Sequence, residues 1–499
     1  MAMRRGFLGI DVGTSSTKGV VVLEDGSVAR SATREHRVRR PSPGQVEMDP
    51  EIWWEELVSL AEELTGDGAF EVSAVGVSGM GPCVVLAEED GTPVRPAILY
   101  GIDSRATAQI EDLDHRLGRE AIRKRCGSVL STQAAGPKIV WVREHEPEAY
   151  GRARRLFMPA SWLVHRLTGA YRMDRHSASQ CTPMLDLAAG DWFVPWAEEV
   201  APGIELPRLA WPGDVVGHTT RAVGGVPRGV PVVAGTIDAW AEAVSVGAQR
   251  PGDLMLMYGT TMFLIATADQ PRGSEVMWGT IGAFPDRYNL AGGMASSGAI
   301  TAWVRELTGD ADFGTLLTEA EDSGLGAHGL LLLPYFDGER TPISDPKARG
   351  LVVGLTLRHT RGDIYRAALE ATAFGVRHNI EALLAEGVQV QRVVAVGGGV
   401  QHPLWPQVVT DVTGVEQVIP TITVGASYGM AFLAASAITD IEIDSWNPPS
   451  RTTSPDPERK RRYDDLYQLY RQLYPATADV MHALADVQHG STLDRKDPG

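Results

Sequence analysis

The sequence predicts an α/β protein built from two related domains, and three observations carry that expectation. At 499 residues, with 43% hydrophobic and 22% charged side chains, the chain is too long for one core at roughly 100–200 residues per domain. Short β-branched runs are followed by helical patterns in both halves. A strand, a turn of glycine and small hydroxyl residues, and a second strand stand near the front of the chain and again near its midpoint.

The first of these units, FLGIDV (7–12) with KGVVVLE (18–24), reads as a hairpin, and a further turn follows at Asp25 and Gly26. EIWWEELVSLAEELT (51–65) has apolar residues at helical spacing and an acidic outer face, and VSAVGVSGM (72–80) is a short buried strand ending in glycines. A long mixed region with helical patches at 138–150 and 160–169 runs to about residue 225. GVPVVAGTIDAWAEAVSVGA (229–248) reads as strand, turn and Ala-rich helix. Helix-breaking residues 249–252 precede LMLMYGTTMFLIA (254–266), the second strand–turn–strand unit. A boundary near 250 therefore divides a first domain, 1–249, from a second, 250–440. The second half holds a long helix over 363–387, a buried strand ending in glycines (390–399), a helix over 402–414 and a small-residue helix over 422–439. Residues 441–499 form a linker, a charged helix over 457–487 and a frayed tail.

Charge narrows the partners. Forty-six Lys and Arg against 63 Asp and Glu give a net charge of −17, which argues against holding a nucleic-acid backbone or an anionic membrane by bulk charge. No run of about 20 apolar residues is present, and the N-terminus lacks the apolar core of a secretory signal. Cys83, Cys126 and Cys181 are too widely spaced to read as a metal pair or disulfide ladder. The expected location is the cytoplasm. A phosphate-bearing ligand would need positive potential supplied locally.

Such a supply is visible in DVGTSSTK (11–18). Asp11, at the end of a strand, can hold Mg²⁺ directly or through water. Gly13, Thr14 and Ser15 offer amide and hydroxyl donors to phosphoryl oxygens, and Lys18 adds a point charge. The alternative is a turn that satisfies only its own backbone. YGTTMFL (258–264) repeats the pattern with Gly259, Thr260 and Thr261. Asp238, in GTIDAW, follows a strand and precedes a helix, where a carboxylate could accept the proton of an attacking hydroxyl. Its position fits a helix N-cap equally well. AVGGGVQHP (395–403) exposes backbone that a base or ribose could approach, without matching a dinucleotide fingerprint. In ILYGIDSRA (98–106), Asp103 and Arg105 could bond successive hydroxyls of a polyol beside Tyr100, or form a surface ion pair.

Taken together and in this order, these segments resemble the FGGY family of carbohydrate kinases. GLVVGLTLRHTRGDIYRAALE (350–370) carries the likeness most specifically, with GERTPISDPKARG (338–350) just upstream and GGGVQHPLWPQVVTDVTG (397–414) as an adenosine segment. The resemblance spans roughly residues 7–440. It implies two ribonuclease-H-like domains of the actin and hexokinase ATPase type with a cleft between them, and phosphorylation of a sugar or polyol hydroxyl dependent on ATP and Mg²⁺. It assigns Asp238 as general base, Asp11, Thr14 and Lys18 to the first phosphate segment, and Gly259, Thr260 and Thr261 to the second. Gly398 and Gly399 fall by the adenosine, and Asp103, Arg105 and the backbone around Met80 in sugar-contacting loops.

Within the family, residues 136–148, 158–169 and 173–180 are most similar to the xylulokinase-like members. Those typically read Gln-Met-His-Gly where Gly79, Met80, Gly81 and Pro82 stand here, and Trp-Asn-Asp where this chain has Tyr100 to Asp103. They also have Asn after the catalytic Asp, where Ala239 and Trp240 follow here, so Trp240 is expected to reshape the pocket. The resemblance implies a xylulose-like ketopentose acceptor, with ribulose, a tetritol or a glycerol-like polyol as alternatives. A catalytically silent sugar or nucleotide sensor is the alternative from another class, against which Asp11, Thr14 and Asp238 stand together. The 457–487 helix, with alternating charges and tyrosines, could pack on the second domain or on the partner subunit of a homodimer.

Overall fold

Each of the two strand–turn–strand units seeds a sheet of the same pattern in the computed structural model, which describes residues 4–423, 425–488 and 490. In the first sheet, β1 (Arg4–Val12) pairs antiparallel with β2 (Ser16–Leu23), and β2 with β3 (Val28–Glu35). On its other side β1 pairs parallel with Phe70–Gly79, then come Pro231–Val233, parallel, and Val215–His218, antiparallel. In the second sheet Asp253–Tyr258 and Met262–Ala268 form the hairpin. The first of these strands runs parallel to Arg392–Val396, which is parallel to Gln417–Pro420 and followed by antiparallel Pro449–Thr453. Hairpins need only a tight turn and parallel neighbours need a helical crossover, so this order arises naturally from the sequence.

The helix α1 (Pro50–Thr65) starts where Asp49 accepts the Glu51 N–H at 3.0 Å and Pro50 opens the first turn. It buries Trp53, Leu57, Leu60 and Leu64 in one core with Leu8, Ile10, Val75 and Val77. Phe7 and Ala74, which alternate with those residues along the strands, pack with Val20 and the helix Ala426–Ser436. That helix lies so close that a Cβ on Gly9 would sit 1.9 Å from the Ser427 carbonyl oxygen.

The chain accordingly folds as two compact units that interleave along the sequence. The first takes the residues up to Pro251, then Thr267–Leu290 and Ile422–Pro448; the second takes Gly252–Ala266, Ala291–Thr421 and the residues from Pro449. The small-residue helix, expected in the second domain, thus belongs to the first unit. The 138–150 patch is two helices, Ala135–His145 and Pro147–Arg152, because Pro147 starts a new one.

In the second unit, the helix Arg361–Ala385 opens with a reciprocal Thr360–Asp363 capping box. The helix Pro457–Gln488 packs on it through Tyr463, Tyr467 and Tyr470, whose rings surround Phe374. Tyr463 also donates to Glu370 at 2.9 Å. Packing on the second unit is one of the two placements open to this helix. Most of the expected tail, His489 and residues 491–499, lies outside the described residues. Among the described residues, no helix is long and apolar enough to cross a membrane.

Candidate active site

Three parallel strand ends assemble the acidic centre. Asp11 is in register with Ser78, Ser78 with Thr236, and Gly79 with Ile237. Asp11 and Asp238 therefore emerge at the carboxyl ends of nearby strands, where open α/β sheets bind ligands. Ser78 Oγ donates to Asp11 Oδ1 at 2.9 Å, and Lys18 stands opposite Asp11 across the hairpin.

Asp238 is the first residue of the helix Asp238–Ser245, and Ile237 occupies the cap position without a side-chain bond. Among the described residues Asp238 Oδ1 accepts only the adjacent Ala239 N–H, at 2.8 Å, so the N-cap alternative is not the arrangement formed. Burial and then the charge of Asp11 hold the Asp238 carboxyl well above its usual range. Burial also raises Asp11, against the Ser78 hydrogen bond and the Lys18 charge. Glu242, one turn beyond Asp238, is pushed up to about 7, by burial first and the Asp11 charge second. Sequence reasoning passed over Glu242, although its i, i+4 spacing from Asp238 puts both on one helical face.

The first phosphate segment is a braced turn. Gly13 N–H donates to Ser16 O at 2.9 Å. His36, just after β3, meets the Gly13 carbonyl with Nε2 at 3.0 Å and Glu56 with Nδ1 at 2.9 Å. Burial opposes protonation of His36, but the Glu56 hydrogen bond and charge outweigh it, and its pKa is raised. Thr14 and Ser15 are partly or fully exposed on this turn, as is Lys18. Thr14 Oγ1 lies 2.9 Å from the Tyr100 hydroxyl, so the turn touches the 98–106 loop directly.

That loop departs from the expectation placed on its charges. Asp103 is fully buried, and its oxygens accept from Val46 N–H at 2.6 Å and from Arg105 Nη2 at 2.8 Å. Arg105 also reaches Glu47 at 2.8 Å and lies over the Trp141 ring. The pair is neither a surface ion pair nor a set of hydroxyl-facing arms; it turns inward and fixes the loop. Its backbone is held further by Lys138, which donates to Leu99 O at 2.7 Å and Tyr100 O at 2.8 Å. Burial lowers the Lys138 pKa to about 8.

Met80 N–H donates to Val12 O at 2.7 Å while its side chain is buried. Trp240 is also buried; it donates to Asn289 Oδ1 at 3.0 Å and stacks on His176 at 3.8 Å.

In the second unit, the Gly259 and Thr260 carbonyls accept from Gly298 N–H at 2.9 Å and Ser297 N–H at 3.0 Å. This seats the turn on the start of the helix Gly298–Leu307. Ser296 and Ser297 hydroxyls are buried there with no hydrogen bond among the described residues. Sequence reasoning missed both serines. Gly397, at φ 93°, lies against Tyr258 backbone, where a side chain would collide, while the Cβ position of Gly398 is open.

Two family models match this chain: the N-terminal domain of the FGGY family of carbohydrate kinases over residues 7–245, and its C-terminal domain over 254–438. The chain belongs to the FGGY family of carbohydrate kinases. It is 30% identical to a xylulose kinase of Escherichia coli strain K12 over 493 residues, covering 95% of this chain and 100% of the relative. A glycerol kinase of Gloeobacter violaceus is 31% identical over 448 residues, 87% of this chain and 88% of that one. The crystal structure of a xylulose kinase from Rhodospirillum rubrum superposes with a TM-score of 0.89 at 30% identity, over 96% of this chain and 100% of that one.

Proposed function

We propose that this protein transfers the γ-phosphoryl group of ATP to a hydroxyl of xylulose or a closely related ketopentose, with Asp238 as general base. The observation that carries the reading is the placement of Asp238 at the start of its helix, after strands in register with the one that ends at Asp11, with one oxygen bonded to Ala239 N–H. The other oxygen accepts the proton of the attacking hydroxyl, and the burial that raises its pKa makes the carboxylate a stronger base for that transfer. The Gly13–Ser15 turn, with Thr14 and Lys18, holds phosphoryl oxygens, and Gly259, Thr260, Thr261, Gly398 and Gly399 contact the nucleotide. Asp103 and Arg105 act as positioning residues for the sugar loop, and the backbone at Met80 borders the acceptor.

Among the described residues no group of three or more His, Cys, Asp or Glu is arranged to hold a metal. A magnesium ion carried by nucleotide phosphates needs only one or two carboxylates and water. Asp11 fits that demand, since burial has raised the free energy of its carboxylate. Bound there, the ion would neutralise phosphoryl charge. Three buried thiols without a disulfide support a cytoplasmic setting.

The xylulose kinases among the relatives support the ketopentose. The glycerol kinase at 31% identity supports a second reading, a shorter polyol. Coupled ADP-release assays over xylulose, ribulose, a tetritol and glycerol separate the two. The highest kcat/KM is expected with a ketopentose; ADP release no faster with any acceptor than without would contradict the kinase reading.

A further inference from the structure

A small cavity in the first unit is lined by Ser128, Ser131, Gln133, Gln180, Thr182 and Thr280, with Trp278 on its wall. Its volume, about 20 Å³, holds one water or one hydroxymethyl group. No ionisable side chain lines it, so it offers nothing to a phosphate or carboxylate. Hydroxyls and amides beside an indole face are instead the surroundings a sugar carbon bearing a hydroxyl requires.

Some of its polar groups are left without a partner. Thr280 is only 2% exposed, and its Oγ1 is buried without a hydrogen bond among the described residues; such an orphan is costly unless a ligand or water pairs with it. Gln133 Oε1 is fixed by Gly101 N–H at 3.0 Å, and Gln180 Nε2 by His176 Nε2 at 2.9 Å. Among the described residues each amide thus leaves its other end without a hydrogen bond, a donor on Gln133 and an acceptor on Gln180. An alcohol group donates and accepts, and so can satisfy both.

The same anchors connect the cavity, through chain neighbours and a ring stack, with residues near the acidic centre. Gly101 follows Tyr100, which touches Thr14. His176 stacks on Trp240, two residues beyond Asp238.

We infer that this cavity is the acceptor-length subsite, taking the terminal hydroxymethyl group of the sugar remote from the hydroxyl that is phosphorylated. The inference rests on the ketopentose reading above. It assigns to Thr280, Gln133 and Gln180 a choice that Asp103 and Arg105, turned inward, do not make directly.

Two variants test it in the full chain. Thr280→Val removes only the hydroxyl at nearly constant volume, and Thr280→Ile also fills the space. In Thr280→Val, KM for xylulose should rise about tenfold, the equivalent of one hydrogen bond. Its kcat, KM for ATP and KM for glycerol should stay within about twofold, because a three-carbon acceptor does not reach the cavity. Thr280→Ile should extend the loss for xylulose and shift preference further to glycerol. Matched melting temperatures and an unchanged KM for ATP exclude a folding defect. Unchanged xylulose KM in both variants would overturn the inference and leave the cavity to solvent alone. Absence of xylulose turnover in the wild type would instead remove the reading beneath it.

Discussion

Asp11, Asp238 and Glu242 share one field, so removing one charge must move the others. Glu242 and Asp11 both raise the Asp238 carboxyl. Glu242→Gln should therefore stabilise the Asp238 carboxylate and move the acid limb of the kcat/KM profile to lower pH; an upward shift would contradict the coupling. Glu339 shows the same physics in the second unit. Burial raises it to about 8 from 4.5, although its Oε1 accepts the Ala295 and Arg340 N–H groups. The folded state then holds a proton that the unfolded state releases, so stability present below about pH 4.5 is progressively lost as pH rises toward 8. Glu339→Gln should flatten this slope and raise stability at pH 8 by a few kcal/mol, on the order of several pKa units at about 1.4 kcal/mol each. Thermal midpoints at pH 5 and 8 measure it. The positions of Asp11 and Asp238 at strand ends, and of Thr14 in the turn between two strands, were legible from chain order. Asp103 and Arg105 were legible as a pair but not in direction, since two nearby charges do not reveal that Val46 N–H and Glu47 will meet them inside.

Helices and strands with strong apolar periodicity were readable within a few residues, as in Pro50–Thr65 and Arg361–Ala385. β3 was not, because VARSATRE alternates without a large apolar side chain and is held by pairing to β2. The placement of Ala426–Ser436 was hidden for another reason: its partner strand lies more than 400 residues earlier, and the cue is the missing side chain of Gly9. Gly9→Ala should force that helix away from the sheet and cost about 3 kcal/mol or more, read as a lower thermal midpoint; an unchanged midpoint would contradict the packing. Lys138→Met tests the loop that Lys138 holds. Loss of its bonds to Leu99 and Tyr100 should raise KM for the sugar about tenfold or more, with KM for ATP little changed. Equal effects on both substrates would show a general rather than local role.

At the scale of the whole chain, a net charge of −17 is compatible with the proposed phosphoryl contacts, because their proposed donors are backbone amides, small hydroxyls and Lys18. Cys83, Cys126 and Cys181 are all buried and free, so native protein should react with a thiol reagent far more slowly than denatured protein, which should show three reactive thiols. Prompt reaction of any thiol in the native state would contradict the burial. The family and its phosphotransferase chemistry follow from full-length relationship; the acceptor rests on the smaller features around residues 79–82, 98–106 and 280. The central claim is that Asp238 takes the hydroxyl proton during transfer from ATP. Steady-state turnover of Asp238→Asn with saturating ATP and xylulose tests it most directly. The account predicts a fall in kcat of about 10²–10⁴-fold with sugar binding retained within a few-fold, and turnover close to that of the wild type would contradict it.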